Sequence, residues 1–129
     1  MEMSAVKPTN PTILLVEDDE ETRYMMRLQL EERGYRVIEA EDGEEAIELA
    51  ELETPNFVLM DLSLPRMDGF EATRKIKEDG RLAQVPVVAV TAHQETDFRQ
   101  GAKESGFDAY VTKPIDFDWL CELLDGLKA

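Results

Sequence analysis

Glu17 and Asp18 follow directly on the apolar run TILLV (12–16), and Asp61 closes the run FVLMD (57–61). Thr91 stands near the end of PVVAVTA (86–92), and Lys113 precedes Pro114 at the end of DAYVTKP (108–114). Crowded acids repel one another, so the density of charge in EDDE (17–20) needs a physical reason. Acidic residues suit the first turn of a helix, where the macrodipole is positive. They equally suit a divalent cation. Glu17, Asp18 and Asp61 together make a hard oxygen site for Mg2+, an ion that prefers octahedral oxygens at about 2.0–2.1 Å and commonly shares its sphere with phosphate. Lys113 and Thr91 are poor metal ligands but good partners for phosphate oxygens, one a point positive charge and the other a hydroxyl donor. A carboxylate can also act as a nucleophile and form an acyl phosphate. Asp61 is the single acid ending its run, and it opens DLSLPRMDG (61–69), where Pro65 and Gly69 restrict the turn.

Convergence of these groups requires a particular architecture. Short apolar runs, YRVIEA (35–40) among them, alternate with longer amphipathic segments. Strands buried on both faces have this near-continuous apolar character. The intervening segments have helical periodicity. Residues 20–33 place Thr22, Met25, Met26 and Leu30 on one stripe and end at Gly34; residues 43–53 repeat the pattern with Ala46, Ile47, Leu49 and Ala50. Residues 69–79 carry Phe70, Thr73 and Ile76, residues 94–105 are polar with Gly101 inside, and residues 115–127 bury Phe117, Leu120, Cys121 and Leu124. Strand–helix alternation repeated in this way predicts an α/β fold, a doubly wound parallel sheet with helices on both faces. In such a sheet ligands sit beyond the carboxyl ends of the strands, where strand order reverses. All five candidate site residues fall there. Glu39 and Glu41, at the end of the second run, read as solvated loop acids.

Bulk properties bound the function. The chain has 129 residues, enough for one core, with residues 1–11 expected as a flexible tail and residues 12–129 as one domain. A formal net charge of −15 repels phosphate backbones and anionic lipid, so direct nucleic-acid binding is not expected. No apolar run approaches the ~20 residues of a membrane span, and the opening MEMSAVKPTNP lacks a signal-peptide core, so no membrane insertion is expected. The lone cysteine, Cys121, makes no internal disulfide, in keeping with a cytoplasmic location, and reads as a small core residue.

The segments VED (16–18), DLSLPRMDG (61–69), TAH (91–93) and YVTKP (110–114) together resemble the receiver domain of two-component response regulators, in its chemotaxis-type single-domain form. The resemblance runs from about Thr12 to Leu127. It implies a flavodoxin-like sheet of order 2-1-3-4-5 with five helices in a three-layer sandwich. It implies that Asp61 is the phosphoacceptor, charged from a phosphohistidine on a sensor histidine kinase or histidine phosphotransfer protein. Asp18 and Asp61 would bind Mg2+ directly, Glu17 through water, and Ser63 through its backbone carbonyl. Thr91 and Tyr110 would be the switch pair, and a cis peptide at Lys113–Pro114 would aim Lys113 at the phosphate. Asp19 and Glu20 fall outside the matching acid pair and are assigned to the helix start. Ser63 and His93 occupy positions that vary in the family and set the hydrolysis rate; neither is an acid or amide able to direct water, which implies a moderately long-lived phosphoryl state. Such a domain is not an enzyme in the ordinary sense: it assists its own phosphorylation and slow autodephosphorylation.

Signalling would then run through repacking of the fourth helix, the fifth strand and the last helix, toward an unidentified downstream protein target. Trp119 and Leu123, four apart and off the buried stripe, form a candidate output face; Tyr24 and Leu28 form a similar pair on the first helix. No second domain follows, which fits a free-standing receiver, and a receiver excised from a hybrid kinase or multidomain regulator would look the same. A Mg2+-dependent phosphohydrolase of the haloacid-dehalogenase type would need a second acid two residues after the nucleophile, where this chain has Ser63. A flavin module would need a hydroxyl- and glycine-rich loop in place of EDDEE, and a degenerate receiver would not retain Glu17, Asp18, Asp61, Thr91 and Lys113.

Overall fold

The structure, a computed structural model, describes residues 10–62, 69–91 and 106–127. Its elements are β1 (Thr12–Val16), α1 (Glu20–Glu32), β2 (Arg36–Ala40), α2 (Gly43–Glu53), β3 (Phe57–Asp61), α3 (Gly69–Glu78), β4 (Val87–Thr91), β5 (Ala109–Thr112) and α4 (Phe117–Leu127). The strands form one five-stranded parallel sheet in the order β2-β1-β3-β4-β5, the flavodoxin-like order. Four helices are present among the described residues. The helix expected over 94–105 lies outside them, as do Ser63 and His93.

Burial explains the strand sequences. Every residue of β3 and β4 is buried, and these are the runs in which apolar residues follow one another without alternation. Side chains of β1 alternate between two cores. Ile13 and Leu15 join Met26 and Leu30 of α1 and Leu120 and Leu124 of α4 on one face. Leu14 and Val16 join Ala46 and Ala50 of α2 and Ala72 and Ile76 of α3 on the other. The sheet is thus the middle of three layers.

Helix ends follow from local chemistry. Asp19 caps α1 by accepting from the Thr22 amide at 2.9 Å, and Asp42 caps α2 by accepting from the Glu45 amide at 2.9 Å. Helix α1 stops where Gly34 takes φ +94°, a left-handed conformation that glycine adopts without steric cost. The Tyr35 amide then closes back onto the Leu30 carbonyl at 3.2 Å. Along α1 the buried stripe is narrower than expected. Met26 and Leu30 are inside, whereas Met25 is 45% exposed beside Tyr24 and Leu28.

Gly69 opens α3 at a close approach. A Cβ there would collide with the Asp61 carbonyl oxygen and come within 3.1 Å of the Leu62 Cα and the Met60 Cγ. At Gly80 a Cβ meets nothing within 4 Å. Gly69→Ala is therefore expected to cost about 1–3 kcal/mol through overpacking, while Gly80→Ala stays within about 0.5 kcal/mol of the parent. Thermal melts of both variants check this, and equal melting temperatures would contradict the steric reading.

Candidate functional site

Strand register gathers the site. Val16 lies opposite Met60, Asp61 opposite Val90, and Thr91 opposite Thr112, so the carboxyl ends of β1, β3, β4 and β5 finish level. Backbone hydrogen bonds carry the ladder past these ends. Glu17 N–H donates to Ala40 O at 3.1 Å, Leu62 N–H to Val90 O at 3.1 Å, and Lys113 N–H to Thr91 O at 2.8 Å. Residues far apart in the chain become neighbours because β1 and β3, the strands carrying the acids, are adjacent in the sheet.

Glu17, Asp18 and Asp61 each offer a carboxylate oxygen, and these oxygens all lie within 4.8 Å of one another. Glu17 is 3% exposed and Asp61 6%, while Asp18 faces solvent. Lys113 Nζ donates to Glu17 Oε1 at 3.2 Å and stands 3.8 Å from Asp61 Oδ2. The other Glu17 oxygen accepts from the Asp19 amide at 3.1 Å. Burial is the main cause holding the Glu17 carboxyl above the usual carboxylate range. The Asp19 amide works against that shift and the nearby Asp61 carboxylate adds to it. The donor set fits Mg2+: hard oxygens converge, the Asp18 side is open to water, and the Lys113 ammonium stands beside Glu17 and Asp61. Thr91 is buried at the same edge, and the Lys113–Pro114 peptide is cis.

The run of acids after β1 divides between two tasks. Asp19 turns away to cap α1, taking the Thr22 hydroxyl at 2.6 Å as well as its amide, and these bonds hold its carboxyl below the ordinary range. Glu20 and Glu21 occupy the first turn, where the helix dipole favours them.

Glu39 is not the solvated loop acid expected from its position. Its Oε1 accepts from Arg23 Nε at 2.9 Å and its Oε2 lies 3.3 Å from Arg27 Nε. Arg23 also donates from its terminal nitrogen to the Glu17 carbonyl oxygen at 2.9 Å, which ties this pair to the acid cluster. One sequence feature marks it: Arg23 is a cation near the N-terminus of α1, where the dipole disfavours positive charge. Glu41 is exposed as expected.

Among the remaining candidates, Tyr110 is half-buried on β5. Trp119 is 50% exposed. Leu123, expected beside it on a free face, instead packs in part against the core of α1 and α4, because it sits at the border of the buried stripe. Cys121 is half-buried against the same core, and burial pushes its thiol up, as suits an inert side chain. Burial likewise pushes the Tyr35 hydroxyl up to about 12.

The raised Glu17 carboxyl has a testable consequence for the protein without divalent cation. The folded chain keeps this proton where the unfolded chain has released it. Stability from the group is therefore full below the ordinary value of 4.5 and is lost as pH rises through the raised one. Glu17→Gln cannot ionise, so its melting temperature relative to the parent is expected to climb over that interval. Paired melts in chelator across the pH range measure it, and a pH-independent difference would contradict the burial of this charge.

A family model described as the response regulator receiver domain matches residues 13–125. Protein PilH of Pseudomonas aeruginosa is 37% identical over 118 residues, covering 91% of this chain and 97% of its own. The polar-differentiation response regulator DivK of Brucella anthropi is 36% identical, covering 81% of this chain and 85% of its own. Among solved structures, the chemotaxis protein CheY4 of Vibrio cholerae superposes with a TM-score of 0.86 at 26% identity, covering 91% and 98% of the two chains. The receiver domain of a sensor histidine kinase from Pseudomonas aeruginosa, with a magnesium ion coordinated in its active-site cleft, superposes with a TM-score of 0.85 at 33% identity, covering 92% and 97%. With this coverage, this sheet order and this edge of acids, the chain belongs to the receiver-domain family of two-component response regulators.

Proposed function

We propose that the chain accepts a phosphoryl group on Asp61 from a phosphohistidine of a sensor histidine kinase or histidine phosphotransfer protein, in a Mg2+-dependent reaction in the cytoplasm. The observation that carries this reading is the meeting of the Asp61, Glu17 and Asp18 oxygens with the Lys113 ammonium, 3.2 Å from Glu17 and 3.8 Å from Asp61.

In the transfer, an Asp61 carboxylate oxygen bonds to phosphorus as the P–N bond of the donor phosphoimidazolium breaks. The bonding pair stays on nitrogen, and the imidazole leaves neutral. Mg2+ held by Asp18 and Asp61, with Glu17 through water and the Ser63 carbonyl, would supply positive charge against the phosphoryl oxygens. Lys113 turns its ammonium from Glu17 to a phosphoryl oxygen, and Thr91 donates its hydroxyl to another. These movements pull on β4 and β5, and Tyr110 packs inward behind Thr91. The altered face, with Trp119 exposed on α4, then meets the downstream protein target. No helix among the described residues is long and apolar enough to cross a membrane.

The donor docks beside the site. Thr22, Met25 and Met26 of α1 face Pro114, Ile115 and Phe117 across an apolar groove of about 360 Å3 that Lys113 also lines. Such a groove fits the apolar flank of a helix presenting its histidine to Asp61.

Incubation with Mg2+ and a small acyl-phosphate donor, read by intact mass, is expected to add one PO3 unit to the parent and none to Asp61→Asn or to the parent in chelator. Met25→Asp is expected to accept from the small donor at the parent rate but from a cognate phosphohistidine protein about tenfold more slowly, the equivalent of about 1.4 kcal/mol. Equal slowing with both donors would place the defect in the chemistry and remove the groove from the account.

A further inference from the structure

We propose that Arg23 is a positioning residue for the metal-binding acids: its guanidinium, clamped between the Glu17 carbonyl oxygen and the Glu39 carboxylate, sets how Glu17 and Asp18 leave the end of β1. This inference rests on reading the site as a Mg2+-supported phosphoacceptor. The Arg23 side chain is 11% exposed, and it makes both contacts at 2.9 Å. A planar guanidinium can hold two acceptors in fixed relative directions, which a lysine ammonium cannot do in the same way.

The clamp completes the anchoring of one residue. The Glu17 amide is tied to Ala40 O on β2, its carbonyl to Arg23 on α1, and its side chain to the Asp19 amide and Lys113. Glu39 is itself fixed, opposite Leu15 in the sheet and 3.3 Å from Arg27. The exit of β1 is thereby braced against β2 and α1 together. Glu39 also neutralises Arg23, so the brace reaches the acid cluster without an unpaired cation that would oppose Mg2+. A buried guanidinium that lost this partner would be an uncompensated charge beside the site. The location of Arg23 fits this duty better than helix stability, since the α1 N-terminus disfavours a cation. Partners that orient metal ligands are typically worth about 10–100-fold in metal affinity.

Calorimetric Mg2+ titrations of the parent, Arg23→Gln, Arg23→Lys, Glu39→Gln and Arg23→Gln/Glu39→Gln, with melts in chelator alongside, test the proposal. Arg23→Gln is expected to weaken Mg2+ binding about 10-fold or more. Arg23→Lys fails to restore parental affinity. The double variant loses less than the product of the single losses, as for residues acting as one unit. Should Arg23→Gln not fold, Arg23→Lys and Glu39→Gln carry the same comparison. Mg2+ affinities within about twofold of the parent, with lowered melting temperatures alone, would overturn the proposal by making the clamp purely structural. A parent that binds no Mg2+ would overturn the reading of the site, and the clamp with it.

Discussion

Burying carboxylates side by side costs their hydration first and adds mutual repulsion, and that cost governs the edge of this sheet. Glu17 and Asp61 are withdrawn from water within reach of each other, with Asp18 at the rim. In a low-dielectric setting such neighbours persist only where positive charge and donors offset them. The chain supplies Lys113 directly and the Asp19 amide beside it. Arg23 acts one step back, through the Glu17 carbonyl. Burial, with the Asp61 carboxylate adding to it, holds the Glu17 carboxyl above its ordinary range. Converging carboxylate oxygens are suited to a divalent cation, and a cation placed there is in turn suited to a phosphoryl group.

Everything else in the fold serves to bring those groups level. Parallel strands deliver their carboxyl ends to one side, and the order β2-β1-β3-β4-β5 sets the two acid-bearing strands side by side. The fully buried β3 and β4 form a rigid base for Asp61 and Thr91. Gly69 lets α3 start against the carbonyl of Asp61 itself. By contrast, the groove by Lys113 and the exposed Trp119 lie on helices at the outer layer, where partners can reach them.

Much of this was legible from the chain because burial leaves a direct mark on composition. The apolar runs of β1, β3 and β4 locate their strands to within a residue, since no solvent face interrupts them. Asp19 is set apart from Glu17 and Asp18 by the family resemblance, whose matching acid pair excludes it, and in the fold it caps α1. What escaped were pairings between elements. Glu39 stands one residue before the end of the edge strand β2, and from local pattern alone an acid there is equally well solvated; only the approach of α1 makes it a partner for Arg23 and Arg27. Met25 and Leu123 lie at the borders of amphipathic stripes, where apolar character does not settle exposure. One turned out open and the other packed.

Transfer to this chain is expected to leave the phosphoryl group as an acyl phosphate on one carboxylate. Borohydride reduction of the phosphorylated protein converts an aspartyl phosphate to homoserine, and tandem mass spectrometry of the digest then gives its position. Homoserine at residue 61 alone is the predicted result; reduction at Asp18 or another acid, or a phosphorylated protein with no reducible residue, would contradict the account.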